Sequence, residues 1–292
     1  MAPKLLIPLL AAWLAAAPAS GAAVAPALPP WRALTFEERH LWLRATSTFT
    51  LSVEPAPADW GLPAGTRLWH LEVASAVASN REQIRSWFDP QSGRVLLRER
   101  ESAGRDRRFK RYRFTPQGVI RERLEPAPGE EDLPRARWSK VQRRLLPYPP
   151  ELGGLPLLTP EWVPVFAAAS PLARVGDRIE VALFGDLGFH LGQLAATGRE
   201  RLGARVSLGK GADCLLAGPR ETLLVTLATE PLGESPEAGP ELLGMAGPHA
   251  LWLEGGHRLP LAVGGEAPRA GRTRVPLVAA VLAVGSCREE PR

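Results

Sequence analysis

Hydrophobic and polar residues alternate along much of the chain, which is typical of strands that bury one face. In the first such segment the apolar face carries Leu41, Leu43, Phe49, Leu51 and Val53. The opposite face carries Arg44, Thr46, Thr48, Thr50 and Glu54. The same pattern returns at Trp69, Leu71, Val73 and Val77, after a turn segment rich in Pro and Gly. The pattern predicts two half-buried strands near the N-terminus.

The stretch from Ile84 to Pro126 predicts four short strands in an antiparallel meander. A strand ends at Trp87-Phe88 and runs into the turn Asp89-Pro90-Gln91-Ser92-Gly93. Later strands at 94–101, 107–114 and 119–124 are separated by turns that contain Gly104 and Gly118.

The rest of the chain adds further strands and one or two short helices. Thr35 followed by Glu38 resembles a capping box and predicts a short helix there. Glu125 to Gly154 is rich in Pro and charge and predicts a long loop, and Thr159-Pro160 begins a helix through Ala169. Strands are predicted at 179–184, 189–195, 206–208, 223–228, 251–253, 259–263 and 275–284.

These elements predict a mainly β fold, a large curved antiparallel sheet or a partly open barrel with one or two short helices. We expect a single β-rich domain over residues 23–292, and two sub-domains divided near 147–154 are the alternative.

The N-terminus predicts export. Lys4 precedes an apolar run from Leu5 to Ala17, and Ser20 and Ala22 suit a signal peptidase site. The run is shorter than the ~20 residues that span a bilayer, so a cleaved signal peptide over residues 1–22 is favoured over an uncleaved anchor. No later stretch is long and apolar enough to span a membrane. We expect a periplasmic location, with secretion as the alternative.

The net charge of +5 says little about partners. Of the 36 Lys and Arg residues, all but Lys4, Lys110, Lys140 and Lys210 are arginine. Scarce Lys beside abundant Arg, Ala, Gly and Pro indicates a GC-rich genome, which by itself explains the basic composition. Together with export, this argues against a nucleic-acid partner.

The two cysteines, Cys214 and Cys287, form a candidate disulfide in an exported chain. Two separate buried thiols are the alternative. No CxxC motif, HExxH motif or His-rich cluster accompanies them, so the sequence predicts neither a metal site nor a cofactor.

Catalytic motifs are lacking in the sequence. It contains no Gly-x-Ser-x-Gly, P-loop or GxGxxG pattern. Asp177 and Asp186 flank one predicted strand and are expected to lie too far apart for acid/base catalysis. Glu99 and Glu101 are expected to form cross-strand ion pairs with arginines. We therefore predict no catalytic residues, and an enzyme is the less favoured hypothesis.

The Arg-rich part of the meander is the one predicted binding surface. Arginine forms bidentate contacts with phosphate and carboxylate, so this face suits anionic lipid headgroups or another envelope component. A solvated, partly self-neutralised sheet face is the alternative. The candidate binding residues are Arg98, Arg100, Arg107, Arg108, Lys110 and Arg111.

Several turn and strand motifs resemble an exported bacterial family that is known only as a domain of unknown function of the 3108 type. The resemblance spans residues 40–284 and implies a curved sheet that partly wraps a helix or its own loops, as in envelope lipid carriers. It implies no catalytic residues. The motifs are Trp87 to Gly93, Tyr112-Arg113-Phe114, Gly118-Val119, Gly176-Asp177, Leu251-Trp252-Leu253, Arg258 to Leu261 and Gly271 to Val275.

Three functions remain open at this point. The leading hypothesis is a non-enzymatic periplasmic protein that binds an apolar or amphiphilic envelope ligand. The first alternative is an interaction or assembly factor that docks through the Arg-rich meander at 94–113, and the second is a hydrolase whose residues converge only in three dimensions. A sheet that encloses a cavity favours the first hypothesis, whereas a filled interior beside a flat exposed face favours docking.

Overall fold

The fold is that of a computed structural model, which describes residues 28–40, 43–104, 107–209, 214–233, 239–268 and 271–283. Over these residues the chain forms fifteen β-strands in one sheet and a single α-helix. The predicted mainly β class, with a large sheet and a short helix, is confirmed. The predicted signal peptide at 1–22 lies outside the described residues.

The first eight strands form a continuous antiparallel meander in which each strand pairs with the next. Strands β4 to β7 are the predicted four-stranded meander, which is confirmed. The eight strands are β1 (Trp31–His40), β2 (Leu43–Pro55), β3 (Arg67–Val77), β4 (Asn80–Phe88), β5 (Val95–Ala103), β6 (Arg108–Thr115), β7 (Gly118–Glu125) and β8 (Lys140–Pro147).

The second half contains the helix and seven more strands. Neighbouring strands are again antiparallel, except that β9 pairs with β10 in parallel. The elements are β9 (Leu157–Leu158), α1 (Val163–Ala169), β10 (Arg178–Phe184), β11 (Phe189–Leu208), β12 (Leu215–Leu232), β13 (Ala246–Glu254), β14 (Pro260–Ala267) and β15 (Gly271–Leu282).

Two long-range pairings hold the halves together and curve the sheet. β1 pairs with β15, so strands from the two ends of the chain meet in the middle of the sheet. In addition, Ser207 and Leu208 at the end of β11 pair in parallel with Ala279 and Ala280 of β15. This second pairing closes β11 to β15 into a ring, whereas β8 and β9 remain the two edges.

The inner face of the sheet packs on a plug that runs from Pro160 to Ala169 and ends in α1. Pro160–Trp162 form a 3-10 turn before the helix, and most residues of the plug are buried on every side, as expected of a segment inside a core. The Trp162 ring stacks on Phe88 with a centroid distance of 3.9 Å and on Trp69 at 5.9 Å. The predicted helix start at Thr159-Pro160 is confirmed.

The alternation of β2 and β3 is also confirmed by their register. Leu51 pairs with Leu71 and Val53 pairs with Trp69, so the apolar positions of both strands share the inner face. Leu41 lies outside the described residues.

Two local predictions are wrong. Thr35 to Glu38 belong to strand β1 rather than to a helix, because their pairing with β2 and β15 outweighs the capping signal. The predicted loop at 125–154 contains β8, which the pattern concealed because this edge strand buries only Leu146.

Arg258 caps the helix within the plug. Its guanidinium donates to the carbonyl oxygens of Ala167 (2.9 Å), Ala168 (3.1 Å), Ser170 (3.3 Å) and Leu172 (2.8 Å). The last carbonyls of a helix have no partner within the helix, so a charged donor is stabilising there. Arg258 therefore fastens the plug to the loop between β13 and β14.

Replacing Arg258 with alanine should lower the free energy of unfolding by about 3 kcal/mol, because several buried carbonyls lose a charged donor. Urea denaturation measures the change. The control is Arg272→Ala, an exposed position where a loss below about 0.5 kcal/mol is expected. Equal stability of the two variants would show that the cap is not stabilising.

Candidate functional site

An open cavity of about 350 Å³ lies on the inner face of the sheet, beside the loop at 241–244. Its wall comes from alternate, inward positions of β2 to β5, and Leu242 and Leu243 face them from the loop. The apolar part of the lining includes Phe36, Phe49, Val73, Ile84, Leu242 and Val275.

The cavity exists because side chains on the inner face become smaller with distance from the plug. At the level of Trp162 the facing residues Trp69 and Phe88 are large. Six residue pairs further along β3 and β4, the same face carries Ser75 opposite Glu82. Ser75 and Ser47 hydrogen-bond each other at 2.8 Å, and neither fills the space.

Six charged residues form what we call the charged floor: Arg98, Arg100, Lys110, Glu82, Glu161 and Asp186. Four of them line the cavity and two lie behind it. Arg98 on β5 is 3% exposed and joins three elements. Its Nε donates to Glu161 Oε1 at 3.1 Å, and one terminal nitrogen donates to Asp186 Oδ1 at 3.1 Å. The plug and the β10–β11 turn are thereby both tied to β5.

Asp186 and Glu82 complete the floor. Asp186 Oδ2 accepts hydrogen bonds from Arg100 at 3.1 Å and from Lys110. Glu82 Oε1 accepts from Arg100 Nε at 2.6 Å and from the Ser102 hydroxyl at 3.1 Å. Three cations thus face three carboxylates, and the charges of the floor balance.

Ionisation of the floor follows from this pairing. Burial opposes the charge on Asp186, but Arg98, Arg100 and Lys110 outweigh it and hold the pKa of that carboxyl well below its usual range. Burial lowers the pKa of Lys110, with the Asp186 charge acting in the opposite direction. The Arg98 pKa is raised, since Glu161 and Asp186 overcome its desolvation.

Glu161 is the one floor carboxylate with a buried oxygen that has no hydrogen-bond partner among the described residues. Its Oε1 accepts from the Ser86 hydroxyl at 2.5 Å and from Arg98. Its Oε2 is buried and has no hydrogen-bond partner, although the residue is only 3% exposed and lines the cavity. A buried carboxylate oxygen without a donor is costly, so a donor from outside the chain, either water or a ligand, would be stabilising at this position.

The six predicted binding residues do not share one surface. Arg98, Arg100 and Lys110 point inward into the charged floor, and Arg108 also lines the cavity. Arg111 lies on the outer face with Glu99, at 2.8 Å. Arg107 donates to the Glu131 carbonyl oxygen and lies over the Trp138 ring. Binding of an anion by any of them stays a prediction.

The outer face of the meander carries charges of alternating sign. Arg85, Glu99 and Arg111 are opposite one another on β4, β5 and β6, and Glu99 contacts Arg85 at 3.2 Å and Arg111 at 2.8 Å. On β7 and β8, Glu122 lies opposite Arg143. Cross-strand pairing of Glu99 is therefore confirmed, and Glu101 pairs with Arg135 instead.

A Ser, a His and an acid do meet on β2 and β3, but their geometry does not suit hydrolysis. His70 Nδ1 lies 2.7 Å from Glu54 Oε1 and 3.4 Å from the Ser52 hydroxyl, which donates to Glu54. A catalytic triad needs the hydroxyl and the acid on opposite ring nitrogens. Here both approach Nδ1, while the buried Nε2 has no hydrogen-bond partner within the described ranges.

The structure also bears on the predicted turn at Asp177, the cysteine pair, membrane spans and metal sites. Asp177 accepts hydrogen bonds from the backbone of Ala173 and Arg174, both at 2.8 Å, as expected of a turn residue, and lies at the other end of β10 from Asp186. Cys287 lies outside the described residues, so its bridge to Cys214 stays a prediction. Within the described part of the chain, no helix is long and apolar enough to span a bilayer, and no three metal-type ligands cluster.

Comparisons with known proteins give limited information. No family model matches the chain, and no curated protein matches it. Among solved structures, it is similar to a β-barrel-like protein of the domain of unknown function DUF1849 from Brucella abortus. The two share 10% identity over 89% of this chain and 100% of that one, with a TM-score of 0.48. That likeness carries no information on ligand or activity, and the 3108-type resemblance stays a hypothesis.

Glu161 and Asp186 were not predicted as site residues. Asp186 sits in the turn Gly185 to Gly188, and its sequence neighbours indicate only a turn. Glu161 offered a better signal, because it is the single charged residue between Leu152 and Arg174. A lone carboxylate in so apolar a segment needs a buried partner.

Asp186→Asn should lower the free energy of unfolding by about 3 kcal/mol at neutral pH, because three buried cations lose their shared carboxylate. Since the folded-state pKa of Asp186 is depressed, its stabilisation is present above the usual value of 3.8 and is lost as the pH falls below it. The gap between variant and wild type should therefore narrow in acid. Urea denaturation at neutral and acid pH, with exposed Glu180→Gln as the control, measures this. A gap independent of pH would contradict the assignment.

Proposed function

We propose that the chain is an exported, non-enzymatic binding protein that holds one small amphiphilic ligand in the cavity. The observation that carries the proposal is the two-sided lining, with apolar residues on the wall and the charged floor beneath them. An amphiphile satisfies both parts at once, since its chain covers the apolar wall and its head reaches the polar groups.

The volume of the cavity limits the size of the ligand. A volume of about 350 Å³ is near the lower end of the roughly 300–1,000 Å³ that is usual for ligand sites. It suits a single-chain amphiphile better than a lipid with two long chains.

The two alternative functions receive less support. Docking through the Arg-rich meander requires its cations to be exposed together, but Arg98 and Lys110 are buried and paired with acids. Hydrolysis requires a triad, and the Ser52, Glu54 and His70 group lacks the needed arrangement.

The periplasmic location belongs to the proposal and rests on the sequence of residues 1–22 and on the 3108-type resemblance. When the full-length gene is expressed in a Gram-negative host, we expect the protein in the periplasmic fraction with Ala23 as its first residue. Intact-mass measurement of the fractionated protein checks this. A full-length mass in the cytoplasm would contradict export.

Ala45→Trp should abolish ligand binding by filling the cavity. Ala45 lines the cavity and is partly buried, and its side chain makes no hydrogen bond. Titration of the mature chain with a fluorescent single-chain amphiphile should give saturable binding that is lost in this variant.

The matched control is Ala74→Trp, which adds the same side chain to the outer face of β3, at an exposed position that does not line the cavity. This variant should bind as the wild type does. Loss of binding in both variants, or in neither, would place the probe elsewhere and contradict the proposal.

A further inference from the structure

We infer that the ligand carries a neutral hydrogen-bond-donating head, such as a hydroxyl group, which binds Glu161 Oε2 at the base of the cavity. This inference rests on the proposed function and adds the chemical class of the ligand. It arises from one unsatisfied oxygen and from the charge balance around it.

The unsatisfied oxygen calls for a donor. Glu161 is held from one side only, because Ser86 and Arg98 both donate to Oε1. Oε2 has no donor among the described residues, and the side chain is buried, with only 4% of its surface exposed. A carboxylate accepts hydrogen bonds and donates none when ionised, so an acceptor head such as an ether cannot satisfy this atom.

The charge balance calls for a neutral head. Arg98, Arg100 and Lys110 are already matched by Glu161, Asp186 and Glu82. The other charged residues that line the cavity match in number, with Arg81 and Arg108 on one side and Glu38 and Glu241 on the other. A charged head would leave a net charge in a partly desolvated site, which is unfavourable.

A fatty-acid anion fits least well. Its carboxylate would meet Glu161 Oε2 as acceptor against acceptor. The floor guanidinium groups of Arg98 and Arg100 are already held by the floor carboxylates. An alkylammonium ion would donate to Oε2 but would add an unmatched positive charge. A hydroxyl head donates without adding charge.

The test compares four ligands of equal chain length on the mature protein: decanol, decyl methyl ether, decanoate and decylammonium. Isothermal titration calorimetry measures each affinity. We expect decanol to bind about tenfold more tightly than the ether, because only the alcohol supplies a donor to the buried oxygen. Both charged ligands should also bind more weakly than decanol.

Glu161→Gln tests the assignment to this oxygen. Arg98 and Ser86 both donate, so they should hold the amide oxygen in the place of Oε1 and leave the amide nitrogen in the place of Oε2. The preference for decanol over the ether should then disappear, since the nitrogen donates to both. Glu180→Gln is the control, because it makes the same substitution at an exposed position away from the cavity and should keep the preference.

The outcomes separate the inference from the proposed function. If the wild type binds the alcohol and the ether equally, or binds a charged ligand most tightly, the inference is overturned. The proposed function still stands in that case, provided that Ala45→Trp abolishes the binding. Binding of none of the four would overturn both. If Glu161→Gln does not fold, the four-ligand comparison on the wild type decides the matter.

Discussion

The buried guanidinium of Arg98 joins three parts of the chain that are far apart in sequence. It lies on strand β5, donates to Glu161 at the start of the plug, and donates to Asp186 in the β10–β11 turn. A buried charge that lost one of these partners would be strongly destabilising. Arg98 therefore ties the plug to both halves of the sheet, through β5 on one side and the β10–β11 turn on the other.

The ion pairs of Arg98 also explain why the charged floor lies at one end of the cavity. Trp162 of the plug packs against large aromatic rings, and Glu161 at the start of the plug belongs to the charged floor. Beyond the floor, the inner face carries Ser47, Ser75 and other small residues, and the sheet encloses space instead of side chains. The packed core at Trp162 and the open cavity beyond the floor thus both follow from the size of the inward side chains along the same strands.

Much of the sheet could be predicted from the sequence, because period-two alternation reports which face of a strand is buried. It placed the apolar residues of β2 and β3 on one face and delimited the β4–β7 meander. The strand β1 and the edge strand β8 were missed for different reasons. β1 is determined by distant partners in β2 and β15, and β8 is too polar to show a buried face.

The site could be predicted only in part. Arg98 and Arg111 appear equivalent in a basic stretch, yet strand geometry directs Arg98 inward and Arg111 outward, where it meets Glu99. The acids that neutralise the inner cations come from residues 161 and 186, and no local pattern links them to β5. Pairing over such sequence distances becomes visible only once the chain is folded.

We propose that this sheet keeps a single-chain amphiphile on the charged floor in the cell envelope. The most direct measurement is mass spectrometry of small molecules extracted from the mature chain after gentle purification from its native envelope. We expect repeated recovery of one class of small amphiphile in near-stoichiometric amount, and its absence from an Ala45→Trp preparation. Repeated recovery of an empty protein, or of the same molecules from both preparations, would contradict it.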